Sequence, residues 1–190
     1  MSWSGRLLIA TPVLDEPTFR RTVVLLLQHD EDGALGVVVN RPSVTPVDDV
    51  LPGWQSLAGD PEVVFEGGPV QRNAALCLGR GAVRGGSQPV PSSPHFVPLD
   101  VDAPVGTVDL DAEPDAVRPA VQQVRVFAGY AGWGAGQLEG EVEQGAWWVL
   151  DALPADAFSS QPEHLWRQVL RRQGGRLALF STCPDDATHN

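Results

Sequence analysis

Two uninterrupted apolar runs, separated by a short polar turn, constrain the fold of this chain more than any other feature. The runs are residues 22–28 and 35–40, and the turn between them contains His29, two aspartates, a glutamate and Gly33. Two runs of strand length joined by such a turn predict an antiparallel β-hairpin. Because the runs are continuously apolar and do not alternate, we expect both faces of the hairpin to be covered by other parts of the protein.

Other short segments extend this pattern along the chain. Composition and turn residues predict further strands at 6–10, 63–66, 74–78, 96–99, 106–110, 147–150 and 177–180, and helices at 46–51, 113–123 and 161–173. Strands and helices do not alternate regularly. This favours an α+β fold with a mixed or antiparallel sheet over a doubly wound parallel fold.

The length of 190 residues predicts one domain, residues 1–190. Residues 79–94 are rich in glycine, serine and proline and predict a flexible exposed loop, which could be a linker, a lid or a surface insertion. The polar tail, residues 184–190, is expected to be disordered.

The charge balance makes nucleic acid an unfavourable partner. The net charge is −11, and all 13 basic residues are arginines. Nucleic-acid binding depends on basic surfaces that contact phosphates, which an acidic chain lacks unless it has a local patch. The basic cluster at the C-terminus is expected to be the solvated face of a helix. It consists of Arg167, Arg171, Arg172 and Arg176.

The two cysteines, Cys77 and Cys183, belong to no Cys-x-x-Cys or Cys/His cluster. This pattern predicts neither a zinc site nor a disulfide framework, and no cofactor is predicted. The sequence has no signal segment and no apolar run of membrane-spanning length, so we expect a cytoplasmic protein without a membrane partner.

The stretch from Phe127 to Trp148 is the first candidate for the wall of a functional cleft. Glycines at 129, 132, 134 and 136 predict a loop with positive φ angles or close backbone contacts. The glycine spacing does not match a phosphate-binding loop, since no Lys-Ser/Thr pair follows, and the glutamates downstream would repel an anion. The alternative is a tight structural turn with Trp133 packed beneath it.

Three alternating glutamates, Glu139, Glu141 and Glu143, follow this loop. On a strand they would share one face, whereas on a helix Glu139 and Glu143 would be neighbours and Glu141 would point away. They could bind a hard cation or supply a general base. The alternative is a solvated acidic face, and Glu139 is the member that we would test first.

Three other positions could contribute to a site. His29 ends a buried strand, where a histidine can act as acid, base or ligand, or can be a hydrogen-bonded structural residue. Arg41 could hold a carboxylate or phosphate, or pair with a protein acid. Glu66 stands at the mouth of a glycine turn that could equally be a strand terminator.

Four stretches together resemble the YqgE/AlgH family of bacterial proteins. They are GRLLIATPVL at 5–14, FRRTVVLLLQHDEDGALGVVVNRP at 19–42, FEGGPV at 65–70 and VRVFAGYAGWGAGQLEGEVEQGAWWV at 124–149. Gln28, Ala135 and Gly145 differ from residues common in the family. The resemblance implies a single compact domain with a mixed, largely antiparallel and partly barrel-like sheet and a few flanking helices. It supplies no activity, although some members are associated with transcriptional regulation of exopolysaccharide production.

Three functions follow as hypotheses. The first is a non-enzymatic binding or regulatory module, with a small-molecule or protein partner in a cleft near the loop from Gly129 to Glu139, the turn at 66–69 and the hairpin end at 40–42. The second is an enzyme that uses Glu139 with His29 or Arg41, and the third is a transcriptional regulator that acts on DNA. The candidate site residues are His29, Asn40, Arg41, Glu66, Gly67, Gly68, Gly132, Trp133, Gly134, Gln137 and Glu139.

Overall fold

The fold is described from a computed structural model, which covers residues 2–82, 93–100 and 103–183. Within these residues the strands are β1 (Leu7–Ala10), β2 (Val23–Asp30), β3 (Gly33–Val38), β4 (Pro42–Pro46), β5 (Val63–Glu66), β6 (Val70–Gly81), β7 (Phe96–Pro98), β8 (Val105–Val108), β9 (Val121–Gly134) and β10 (Trp147–Leu150). The α-helices are α1 (Val47–Val50), α2 (Pro114–Val117), α3 (Gln137–Glu143), α4 (Leu165–Gln173) and α5 (Gly175–Phe180).

The strands form one curled, mainly antiparallel sheet in a single α+β domain. The main order is β10-β1-β2-β3-β9-β6-β8-β7, and β4 and β5 join it through β9. All pairings are antiparallel except that of β5 with β9, in which Phe65 lies opposite Phe127. These elements confirm the predicted fold class and its largely antiparallel sheet.

The predicted hairpin is confirmed as β2 and β3, which pair antiparallel from Val24 with Val38 to Asp30 with Gly33. Both of its faces are buried, as the continuous apolar pattern indicates. Leu25 and Val37 belong to the cluster that α4 covers. Val24 and Val38 belong to a second cluster, on the face where α3 and the chain before β2 pack.

Three segment predictions were wrong. The predicted helix at 113–123 is limited to α2, and Val121 already begins β9. Pro119, which lacks an N–H group, stands between the two elements, and the β-branched residues after it pair with β6. The predicted strand at 177–180 is part of α5, whose Phe180 packs on Trp148 with ring centroids 5.0 Å apart. A short apolar run does not by itself distinguish a strand from a buried helix.

The third wrong prediction is the glycine loop, because β9 continues as a strand through Gly134. The glycines permit close backbone approaches along this strand. Gly129 has a φ of 71°, and a Cβ there would lie 2.7 Å from the carbonyl oxygens of both Gly68 and Val70. The later part of the prediction is confirmed, since α3 and β10 follow β9 as a short helix and a strand.

The predicted loop at 79–94 overlaps β6, which extends to Gly81. Residues 83–92 and the predicted tail at 184–190 lie outside the described residues. None of the helices in the described part of the chain has the length and apolarity that a membrane crossing needs.

Two of the C-terminal arginines make tertiary contacts and are not simply a solvated helix face. Arg172 donates from both terminal nitrogens to Asp156, at 2.5 and 2.7 Å. The side chain of Asp156 is 6% exposed, and it also accepts the N–H of Leu153 at 2.7 Å. Arg167 donates to the carbonyls of Ser181 and Cys183. These bonds attach α4 to the segments on either side of it.

We expect Asp156→Ala to lower the free energy of unfolding by about 3 kcal/mol, because the partly buried Arg172 guanidinium loses its carboxylate, keeping only the carbonyl of Asp151, and the N–H of Leu153 loses its acceptor. Chemical denaturation measures this loss. The control is Asp151→Ala, which removes the exposed partner of Arg6 and should cost about 1 kcal/mol or less. Equal losses in the two variants would contradict the proposed role of the Asp156 bridge.

Candidate functional site

An open cleft of about 400 Å³ lies between β4, β5, the start of β6 and the middle of β9. Its lining is mainly apolar and includes Val50, Ala74 and Ala75. Among these, Val50 is 49% exposed. Polar groups enter from two sides: Arg41 and Glu66 stand at strand ends, and Arg72 lies in β6. Concave, mainly apolar sites with a few polar groups are typical of small-molecule binding.

The β6 side of the cleft is shaped by a bulge. Val70 lies opposite Tyr130 on β9, but the next paired residue on β6 is Ala75, opposite Ala128. Four residues, 71–74, therefore leave the regular pairing, and Gln71 has a positive φ of 46°. Bulges redirect side chains and interrupt the hydrogen-bond ladder. Here the bulge brings Arg72 and Asn73 to the rim of the cleft.

Arg41 is held in place by backbone carbonyls. Its Nη2 donates to the carbonyl oxygen of Pro17 at 2.8 Å and to that of Arg20 at 3.3 Å. Burial lowers the pKa of the Arg41 guanidinium, and the nearby Glu66 carboxylate opposes this effect. The distance between their charged atoms exceeds 4 Å, since no ion pair joins them within the described residues. The guanidinium therefore faces the cleft without a carboxylate partner among the described side chains.

The structure divides the predicted site residues into two groups. Arg41, Glu66 and Gly68 line the cleft together. None of the described lining residues comes from 129–139, because β9 carries that stretch away from the cleft. At a rise of about 3.3 Å per residue, Gly134 lies about 20 Å along the strand from Ala128.

The second group surrounds His29 and α3. His29 is buried, and its Nε2 lies 2.9 Å from Oε1 of Glu139. Its Nδ1 accepts the backbone N–H of Trp3 at 3.0 Å, and the two rings stack with centroids 4.8 Å apart. Because Nδ1 is an acceptor, the neutral ring carries its proton on Nε2 and donates it to Glu139. Both nitrogens are thus engaged, as in a structural histidine.

The Glu139 carboxyl accepts a hydrogen bond from its own backbone N–H. This bond, with a smaller contribution from His29, lowers the pKa of Glu139. Its side chain is 42% exposed, so the carboxylate is accessible to water as well as to the histidine.

Glu141 has more hydrogen-bond partners than Glu139, although the sequence makes Glu139 the first candidate of the three glutamates. Its Oε2 accepts the indole N–H groups of Trp133 at 3.0 Å and Trp147 at 2.8 Å. Its Oε1 accepts from Gln137 Nε2 at 2.9 Å, and Gln137 Oε1 accepts the N–H of Gly134. The two indole rings meet edge to face, with centroids 6.0 Å apart. Glu141 therefore fixes α3 onto β9 and β10 through Trp133, Trp147 and Gln137, and we call this set of hydrogen bonds the Glu141 clamp. No local sequence signal indicates it.

The remaining candidates have backbone roles. Asn40 Oδ1 accepts the N–H of Val23 at 2.8 Å, and its Nδ2 donates to the carbonyl of Arg21. Gly67 is buried and donates to the carbonyl of Ala128. Gly132 lies exposed on β9.

Two further observations bear on chemistry. Burial strongly raises the pKa of the Cys77 thiol, so this cysteine is a buried free thiol without thiolate character at neutral pH. No group of three or more His, Cys, Asp or Glu residues in the described ranges is arranged to hold a metal ion.

The fold and the cleft define a single-domain α+β protein with a curled sheet and a candidate binding site at its β4–β6 side. Residues 7–178 match the family model DUF179, described as AlgH-like, and the chain belongs to this family. This match confirms the family suggested by the four sequence motifs.

Relatives and solved structures agree with this assignment. A UPF0301 protein from Streptomyces coelicolor is 53% identical over 192 residues, covering 100% of this chain and 96% of the relative. A UPF0301 protein from Mycobacterium avium is 51% identical, covering 98% and 90%. A crystal structure of a Corynebacterium diphtheriae protein superposes with a TM-score of 0.86 at 32% identity, covering 94% and 91%. The solution structure of AlgH from Pseudomonas aeruginosa superposes with a TM-score of 0.67 at 29% identity, covering 98% and 97%.

We expect Glu141→Ala to lower the free energy of unfolding by about 2 kcal/mol, because two largely buried indole N–H groups lose their acceptor. Denaturation followed by tryptophan fluorescence measures this loss and also reports on the two rings. Glu143→Ala, at the exposed end of the same helix, should change stability by about 0.5 kcal/mol or less. A Glu141 variant as stable as the Glu143 control would contradict the clamp.

The neutral form of His29 should be the Nε2–H tautomer. Long-range proton–nitrogen correlation spectra distinguish this tautomer from the Nδ1–H form by their nitrogen shifts. Glu139→Gln should keep the same tautomer, because the Trp3 N–H still requires an acceptor at Nδ1. A spectrum that shows the proton on Nδ1 would contradict the hydrogen bond from the Trp3 N–H to Nδ1 of His29.

Proposed function

We propose that the protein is a non-enzymatic binding module whose ligand site is the cleft between β4, β5 and β6. The observation that carries this proposal is the combination of an open apolar cleft with a half-buried guanidinium, Arg41, that has no acidic partner within 4 Å among the described residues. Partial burial of a charge is unfavourable unless it is well paired, and here backbone carbonyls engage only Nη2 of the guanidinium. A protein that only needed to pack β4 onto β5 would gain from an apolar side chain at this position.

The enzymatic alternative has weaker support. His29 does lie within hydrogen-bond reach of Glu139, at 2.9 Å. A general base needs a lone pair directed at a substrate, and both ring nitrogens of His29 are already engaged by Glu139 and Trp3. Arg41 belongs to the cleft and not to this pair. The DNA-binding alternative is weakened by the net charge of −11 and by the protein contacts of Arg167 and Arg172.

Filling the cleft tests this proposal. Thr45 lines the cleft, whereas its neighbour Val44 on the same edge strand is 96% exposed and does not line it. Thr45→Trp should occupy the cleft, and Val44→Trp adds the same side chain outside it. The measurement is a thermal-shift screen of the unmodified protein and both variants against metabolites and fragments.

A cleft ligand at about 100 times its dissociation constant should stabilise the protein by about 2.7 kcal/mol, which corresponds to about 5 to 11 °C for a chain of this size. This shift should persist in Val44→Trp and disappear in Thr45→Trp. Shifts that persist in both variants would place binding elsewhere, and a screen without any shift would reject a small-molecule site.

A further inference from the structure

The charges around the cleft indicate the chemical class of its ligand. Resting on the proposed binding function, we propose that the cleft binds a monoanionic organic acid, with one carboxylate held between Arg41 and Arg72 and an apolar chain or ring against the lining.

Arg41 presents donors that are positioned but not used. Its Nη2 is held by the carbonyls of Pro17 and Arg20, which fixes the orientation of the planar group. Within the described residues, Nε and Nη1 have no hydrogen-bond acceptor. A guanidinium presents its donors in a rigid fork that matches a carboxylate. The protein thus preorganises half of an arginine–carboxylate contact and leaves the other half open.

Arg72 and Asn73 supply a second set of donors. The bulge of β6 brings both residues to the cleft, and both are exposed. In the described part of the chain, neither side chain has a hydrogen bond or ion pair. Arg72 is thus an exposed arginine whose guanidinium has no carboxylate partner among the described residues. Its charge is therefore available to a ligand.

Glu66 limits the charge that the ligand can carry. Two arginines and one glutamate give the cleft a net charge of about +1, against −11 for the whole chain. A single carboxylate neutralises this charge, whereas a phosphate dianion would leave an excess negative charge beside Glu66. A neutral ligand would leave the positive charge of the cleft uncompensated, and a protonated amine would be repelled by both arginines.

The apolar part of the ligand has a defined place. Val50 of α1 lines the cleft while 49% exposed, and Ala74, Ala75 and Pro69 add small apolar surfaces. Contact with an alkyl or aryl group would remove this apolar surface from water, which is favourable. A bare anion such as acetate would leave the surface exposed, so the apolar part should add measurable affinity.

The experiment compares four probes that share one alkyl chain: octanoate, octyl phosphate, 1-octanol and octylamine, each below the concentration at which it aggregates. Binding is measured by titration with NMR chemical-shift mapping on the full chain. We expect octanoate to shift the backbone signals of the cleft and to bind at least tenfold more tightly than 1-octanol. Octyl phosphate should bind more weakly than octanoate, and octylamine should show no cleft binding.

Charge variants test the assignment of residues. Arg72→Gln should weaken octanoate binding about fivefold, and Glu66→Gln should tighten it about threefold. Both side chains are exposed, so folding should be unaffected. Arg171→Gln is the matched control, since this exposed arginine of α4 lies outside the cleft and loses the same charge. Its affinity for octanoate should stay within twofold of the unmodified protein.

The outcomes separate this inference from the proposed function. Equal binding of 1-octanol and octanoate in the cleft, or equal effects of the Arg72 and Arg171 variants, would overturn the inference that the cleft recognises a carboxylate. The proposed binding function would be unaffected. Tighter binding of octyl phosphate would overturn it in favour of a phosphate ligand. If octanoate alone fails while other compounds in the thermal-shift screen bind the cleft, only the inference fails. If nothing binds the cleft in either experiment, both fail.

Discussion

The pairing of β9 with three other strands is the interaction on which the rest of the structure depends. This strand of 14 residues pairs with β6 from Val121 to Tyr130, with β5 at Phe127 and with β3 at its end. It therefore joins the N-terminal hairpin to the β4–β8 half of the sheet. The turn after β5 must cross close to it, so that Gly68 and Gly129 approach within a distance that leaves no room for a Cβ. A side chain at either position would separate the two halves.

The same strand separates the two polar regions of the molecule. Near its middle it forms one wall of the cleft that contains Arg41. At its end it carries Trp133 to the clamp of Glu141, close to the contact of His29 with Glu139. In the clamp, every polar side-chain atom of Glu141 has a donor, which suits a structural role. In the cleft, donors remain without acceptors among the described residues, which suits a ligand. Hydrogen-bond satisfaction, more than residue type, distinguishes the two regions.

Local patterns predicted the elements whose burial is reflected in their own sequence. The β2–β3 hairpin, β5 and the amphipathic α4 were predicted because continuous or periodic apolarity reports which faces are covered. The wrong predictions concern segments whose secondary structure depends on contacts with other parts of the fold. Residues 129–134 contain enough glycine to form a loop, yet pairing with β3 holds them in a strand. Residues 177–180 have the composition of a strand, but no strand edge is paired with them and they pack as a helix on Trp148.

For the candidate site, the sequence by itself determined the family, the α+β class and several residues that occupy polar positions, including Arg41, Glu66 and Glu139. The family follows from the resemblance of four ordered motifs, and the class and the polar positions follow from composition and turn signals; all are properties of the chain alone. Tertiary structure alone decided which of them meet. Arg41 and Glu66 share a cleft because β4 and β5 pair. Arg72 reaches the same cleft because of a bulge in β6, which no sequence pattern predicted. Glu139 lies elsewhere because a strand is rigid and extended, so residues near one another in sequence are separated along its length.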